Sequence, residues 1–210
     1  MKLAILIAFV LAGGGLALAD EPEAPASPED IVNYRDSGEW GADTRTAVQR
    51  ARRTLERHLF DPRPAIVLDV DDTALSTYGC MKAADFDRGE AGCALRRDLP
   101  AVRSTRRLFR YARSHGVAVF FVTGRREAQR ASTVANLRRA GYRGYRALRM
   151  RPDDQPAGRR DGWKARVRSA IRRRGYRIVV NVGDQRSDID GGHALRRIKL
   201  PNPMYVIETA

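Results

Sequence analysis

Residues 65–70 (AIVLDV) form an apolar run too short for a helix and rich in β-branched residues, which reads as a strand buried on both faces. A strand hidden on both sides needs helices to cover it, and helical spacing surrounds it. Upstream, Ala47, Val48, Ala51, Leu55 and Leu59 recur at helical intervals behind Asp43, which is placed to cap them, and Pro62 and Pro64 end the segment. Downstream, a helix carrying Val102, Leu108, Phe109 and Ala112 stops at Gly116, and a strand follows at 117–122. The alternation continues with a helix over 126–140, a short strand at Ala147 and Leu148, a helix over 162–174 and a strand at 177–182. Residues 204–207 are expected to add an edge strand. Such alternation predicts an α/β fold with a parallel, Rossmann-like sheet, whose active site lies at the carboxyl ends of the strands.

Chemistry collects at those ends. The first strand runs out into Asp69, Asp71, Asp72 and Thr73, the second into Thr123, Gly124 and Arg125, and the fourth into Asp184, Asp188 and Asp190. Carboxylates crowded where an apolar strand opens to solvent repel one another unless a hard divalent cation binds them. Two acidic loops and one anion-binding loop facing a single pocket point to magnesium-assisted chemistry on a phosphate. By strand alternation Asp72 points away from the Asp69–Asp71 pair, as a strand-end carboxylate or an outer partner of a metal. Arg125 is open between a phosphate contact and a surface role, and Asp190 reads as a loop cap. His58, His115 and His193 show no metal-ligand spacing and read as structural.

In order, the motifs DxDxT, TGR, a lysine and GDxxxD resemble those of the haloacid dehalogenase superfamily of phosphohydrolases. The segments YRDSGEW (34–40), VLDVDDTAL (67–75), NVGDQRSD (181–188), GGHA (191–194) and KLPNP (199–203) resemble its secreted acid phosphatase branch, subfamily IIIB, which includes plant vegetative storage proteins. The resemblance covers about residues 31–207. It implies a haloacid dehalogenase-type sheet with a small lid inserted after the first motif, at about 77–100. It also implies an exported, magnesium-dependent acid phosphatase that hydrolyses phosphate monoesters through an aspartyl-phosphate. A non-catalytic storage or phosphate-ligand-binding protein on the same fold is the alternative, and the presence of Asp69 argues against it.

Position by position, Asp69 resembles the nucleophile and Asp71 the general acid and base. The resemblance implies Mg2+ held by the side chains of Asp69 and Asp184 and the main-chain carbonyl of Asp71, with Asp188 supporting it directly or through water. Thr123 and the Gly124 amide would bind the substrate phosphate. Lys164 resembles the lysine that balances nucleophile and phosphoryl group, and its identity stands out in a chain with 35 Arg and only 4 Lys.

The remaining features set context. Met1 and Lys2, an apolar stretch over 3–12, three glycines and Ala17-Leu18-Ala19 read as a signal peptide (1–19) cut after Ala19, which implies a secreted or periplasmic protein without a stable membrane anchor. Residues 20–30 are acidic and Pro-rich and read as a flexible leader before a domain over 31–210. In an oxidising compartment Cys80 and Cys93 are favoured as a disulfide over two buried thiols. Tyr78 and Phe86 either stack on an aromatic leaving group or pack the lid's own small core. The formal net charge of +14 suits a small phosphate ester or a nucleic acid as partner, and the ester is favoured by the motifs.

Overall fold

Every apolar run at 65–70, 117–122, 147–148 and 177–182 becomes a strand of one sheet in the computed structural model, which describes residues 26–86, 90–93, 95–155 and 162–207. In chain order the elements are α1 (Pro28–Asp36), α2 (Glu39–Glu56), β1 (Pro64–Leu68), α3 (Tyr78–Lys82), α4 (Glu90–Cys93), α5 (Arg103–Ser114) and β2 (Ala118–Arg126). A 3-10 turn (Glu127–Gln129) then leads to α6 (Arg130–Arg139), β3 (Ala147–Arg151), α7 (Trp163–Arg173), β4 (Arg177–Gly183), α8 (Arg186–Ile189) and β5 (Arg196–Lys199). The strands lie in the order β3-β2-β1-β4-β5 and every pair is parallel. From β1 the chain winds outward to β2 and β3 on one side, then returns to build β4 and β5 on the other. The crevice beyond the ends of β1 and β4 is therefore the switch point where ligands bind on open α/β sheets.

Period-two alternation sorts the side chains into two layers. Ile66, Leu68, Val119 and Phe121 pack with Ala47, Val48, Ala51 and Leu55 of α2 and Leu108, Phe109 and Ala112 of α5. Ala65, Val67, Phe120 and Val122 face the other way, against Trp163 and Ile171 of α7. Between β1 and β4 the register slips, with Ala65 opposite Ile178 but Ile66 opposite Val180. Val179 is the extra residue of this bulge, which returns Val180 and Val182 to the layer of α2.

Several boundaries differ from the sequence reading. α2 begins at Glu39, because Gly38 at φ 82° turns the chain directly from α1 into it. Asp43 is thus an interior helical residue whose carboxylate accepts from the Tyr34 hydroxyl at 2.7 Å, not a cap. Residues 28–30 belong to α1, started by Ser27 and Pro28, so the leader does not extend that far. The signal peptide, its cut after Ala19 and residues 20–25 lie outside the described residues. β2 runs on to Arg126, where a helix was expected. Residues 204–207 form no strand: β5 is the sheet edge, and the last segment instead ties Pro203 to Ala26 and Ile207 to Gln185.

The insertion after the first motif carries α3 and α4 joined by a Cys80–Cys93 disulfide. It packs as a separate small cluster of Ile31, Met81, Cys93 and Met204, with Tyr78 and Phe86 in ring contact at 6.2 Å. Both aromatic rings therefore pack the lid's own core. The insertion is closed at its end by Asn136 of α6, whose buried side chain accepts from Leu99 N at 3.2 Å and donates to Leu99 O at 2.8 Å. Asn136→Ala should lower folding stability by about 2–4 kcal/mol in urea unfolding, since it strands both polar groups of a buried residue. A loss under about 0.5 kcal/mol, the ordinary range for surface changes, would contradict this clamp.

Candidate active site

Beyond Leu68 the chain leaves the sheet in a tight turn. Asp69 N still donates to Val182 O at 3.0 Å, then Val70 O accepts from both Ala74 N and Leu75 N, with Asp72 at φ 48°. This turn, rather than strand alternation, aims the acidic side chains. Asp69, Asp71, Asp72 and Thr73 are all buried.

Asp69, Asp184 and Asp188 come together, offering carboxylate oxygens all within 4.8 Å of one another. Lys164, one residue into α7, donates to Asp69 Oδ1 at 2.6 Å and to Asp188 Oδ1. Asp188 Oδ2 accepts from Gln185 N at 2.8 Å. Asp184 accepts from Thr73 Oγ1, Gln185 Nε2 and Asn202 Nδ2, each at 2.8 Å. The loop fits only because residue 183 is glycine, as a Cβ there would meet Asp188 Cβ at 2.1 Å. Burial and the neighbouring Asp188 push the Asp69 carboxyl well above the usual range, with Lys164 opposing. The same two causes raise Asp184 to about 7. Burial works against the charge on Lys164, but Asp188 and Asp69 hold its proton more firmly than water does.

The Asp71 side chain is held by a partner of its own. Arg125 Nε and Nη2 grip its carboxylate at 2.9 and 2.6 Å, while Nη1 donates to Thr133 Oγ1 at 3.1 Å. Arg125 is 3% exposed, so the surface role open to it from sequence is excluded. Asp72 accepts from Thr77 N at 3.0 Å, from the Thr77 hydroxyl and from Tyr205 OH at 2.9 Å. It also lies 3.7 Å from Arg35, whose guanidinium is sandwiched 3.5 Å from the Trp40 centroid and 4.7 Å from that of Tyr78. Asp72 is thus an anchor between turn, lid and termini.

Charge counting tests the site for a metal. Among the described residues Asp71 is matched by Arg125 and Asp72 by Arg35, which leaves Asp69, Asp184 and Asp188 against Lys164 and the buried guanidinium of Arg168 beside Asp188. With all groups ionised this buried set still carries an excess of negative charge on three hard oxygen donors, which fits a divalent cation such as Mg2+.

Across the crevice, the register between β2 and β3 jumps from Val122–Arg149 to Arg126–Arg151, which takes Thr123, Gly124 and Arg125 out of the ladder. Thr123 Oγ1 accepts from Arg125 N at 3.1 Å, so its own proton is available to a ligand oxygen. Gly124 is exposed. His58 pairs with Asp61, His115 contacts the Tyr111 carbonyl, His193 lies by Arg172, and Asp190 lies by Arg197, all apart from the trio.

Sequence reasoning gave no role to Thr73, Gln185, Asn202 or Arg168. Arg168 stands one helical turn after Lys164 and donates to the main-chain carbonyls of Asp188, Asp190 and Gly192, so α7 holds Asp188 by both its side chain and its backbone. The i, i+4 spacing from Lys164 was the available signal.

The description of one family, HAD superfamily subfamily IIIB (acid phosphatase), matches residues 19–208. Among curated proteins the chain is 32% identical over 197 residues to the stem 28 kDa glycoprotein of Glycine max, covering 86% of this chain and 76% of that one. It is 37% identical over 159 residues to acid phosphatase 1 of Solanum lycopersicum, covering 70% of this chain and 60% of that one. It is 27% identical to vegetative storage protein 1 of Arabidopsis thaliana, over 67% of this chain and 54% of that one. The class C acid phosphatase from Bacillus anthracis superposes with a TM-score of 0.68 at 21% identity, over 84% and 83% of the two chains, which supports the fold. Strand order, carboxylate placement and a family match across nearly the whole chain agree: the protein belongs to the subfamily IIIB acid phosphatases of the HAD superfamily, a family of phosphoric monoester hydrolases.

Proposed function

We propose that this chain is an exported, magnesium-dependent acid phosphatase that hydrolyses small phosphate monoesters in two steps through Asp69. The observation that carries the reading is the Asp69 carboxylate itself. It is held at Oδ1 by Lys164, while Oδ2 has no hydrogen-bond partner among the described residues, and it sits beside two further carboxylates at the switch point of the sheet. A buried carboxylate with one free oxygen beside an ammonium is arranged to attack an anionic phosphoryl group that the ammonium also attracts.

In the first step Asp71 has taken a proton from solvent, Asp69 Oδ2 forms a bond to phosphorus, the ester P–O bond breaks, and the leaving alkoxide takes that proton from Asp71. In the second, Asp71 accepts a proton from water, the hydroxide oxygen attacks phosphorus, and the acyl-phosphate bond breaks to return Asp69 and release phosphate. Both Asp71 oxygens are engaged by Arg125, so the leaving oxygen must displace one of these contacts to reach the carboxyl. The Thr123 hydroxyl and the Gly124 amide would bind the nonbridging phosphate oxygens. Asp69, Asp184 and the main-chain carbonyl of Asp71 would hold Mg2+, which supplies charge neutralisation for the phosphoryl oxygens, with Asp188 in support. A cleaved signal peptide would deliver the chain outside the cytoplasm, and no helix among the described residues is long and apolar enough to cross a membrane.

A panel of phosphomonoesters assayed with Mg2+ and with chelator tests the reading, which expects release of phosphate only with metal. Asp69→Asn keeps the size of the side chain and removes the attacking charge, so turnover should fall by about three orders of magnitude or more. A variant retaining about a tenth of wild-type turnover would exclude the covalent route. Asp184→Ala removes a hard oxygen donor and should raise the Mg2+ concentration for half-activation by about 10–100-fold. An unchanged Mg2+ requirement would remove Asp184 from the metal site.

A further inference from the structure

At the end of the sheet opposite the carboxylates, Arg50, Arg53, Thr54, Arg57 and His58 from α2 and the turn after it face Arg177, Leu195 and Arg196 across a cleft of about 480 Å3. Arg177 is the first residue of β4 and Asp184 follows its last, so seven residues of strand, or roughly 23 Å at the usual rise, separate the two regions. Arg177 is paired with Asp61 at 2.9 Å, but Arg50, Arg53, Arg57 and Arg196 have no acidic partner among the described residues. Four unmatched guanidinium groups share one concave surface.

Apolar groups stand at its edges. Phe60 is 100% exposed, at the tip of a turn tied to the cleft because Asp61 binds both His58 and Arg177 at 2.9 Å. On the opposite bank Leu195 is 51% exposed. An anionic lipid headgroup layer satisfies both features at once, offering phosphates to guanidinium and an apolar boundary to projecting side chains. A soluble phosphate would leave Phe60 and Leu195 in water. A single-stranded nucleic acid stacks on rings that wall its groove, whereas Phe60 is bare on every side and Leu195 has no ring.

We propose that this end of the molecule docks on an anionic lipid surface, with Arg50, Arg53, Arg57 and Arg196 contacting headgroup phosphates and Phe60 and Leu195 entering the interface. The phosphoryl site then faces away from the lipid, toward solution. Because the chain carries a net charge of +14, attraction to anionic vesicles alone is no test. Arg138, Arg139 and Arg143, which line a separate cleft beside α6 with no exposed aromatic ring, provide a charge-matched control.

The test is co-sedimentation of the full chain with phosphatidylglycerol-containing vesicles and with pure phosphatidylcholine vesicles at constant salt. The variants are wild type, R53Q/R57Q/R196Q, R138Q/R139Q/R143Q and F60S, so that any contribution from the N-terminal segment is common to all. On anionic vesicles the cleft triple variant and F60S should each lose about fivefold or more in partition, and the control triple less than about twofold. Hydrolysis of a soluble phosphate ester should be unchanged in all three. A Phe60→Trp chain should show added fluorescence that brominated anionic lipid quenches. Equal losses in the two triple variants, no effect of F60S, or equal partition onto neutral vesicles would each overturn the proposal. So would a single-stranded oligonucleotide whose binding, rather than vesicle binding, is lost in the cleft variants.

Discussion

Five carboxylates are buried beyond the ends of β1 and β4 against four cations, Arg35, Arg125, Lys164 and Arg168, among the described residues, and the surrounding structure is arranged around that imbalance. Asp71 and Asp72 are each given a guanidinium, whereas Asp69, Asp184 and Asp188 share one ammonium and the guanidinium of Arg168. Unpaired buried charge is costly, and much of the local hydrogen bonding reads as compensation for it. Thr73, Gln185 and Asn202 all donate to Asp184, and Gln185 N donates to Asp188. The negative charge still outstanding is what a divalent cation would offset, and an anionic phosphoryl group could then approach.

Most of the sheet was legible in the sequence because buried parallel strands are near-continuous apolar runs, as at 65–68 and 178–182, and no other element type suits so short a run. Boundaries set by single-residue conformation were not legible. Gly38 at φ 82° starts α2 four residues before Asp43, and a glycine in a sequence does not announce which side of it is helical. β5 escaped notice because its residues are Arg196, Arg197, Ile198 and Lys199, an edge strand with one buried apolar side chain and no apolar alternation.

The site shows the same division. Asp69, Asp184 and Asp188 stood out as carboxylates at strand ends and Lys164 through the family resemblance and the scarcity of lysine, and the structure places all four in one cluster. The pairing of Asp71 with Arg125 and the three carbonyls held by Arg168 depend on how loops fold back, so the TGR motif and the i, i+4 spacing from Lys164 mark the two positions among 35 arginines without giving their partners. Their burial distinguishes them: Arg168 is fully enclosed, and Arg125 nearly so.

Whether phosphorus is transferred to Asp69 decides the account. An acid-quenched single turnover of a 32P-labelled monoester, followed by proteolysis and mass spectrometry, reads this directly. The expected result is a base-labile phosphoryl group on the peptide containing Asp69, formed with Mg2+, absent with chelator and absent in Asp69→Asn. Release of the leaving alcohol with no labelled protein at any time, or label on a different residue, would contradict it.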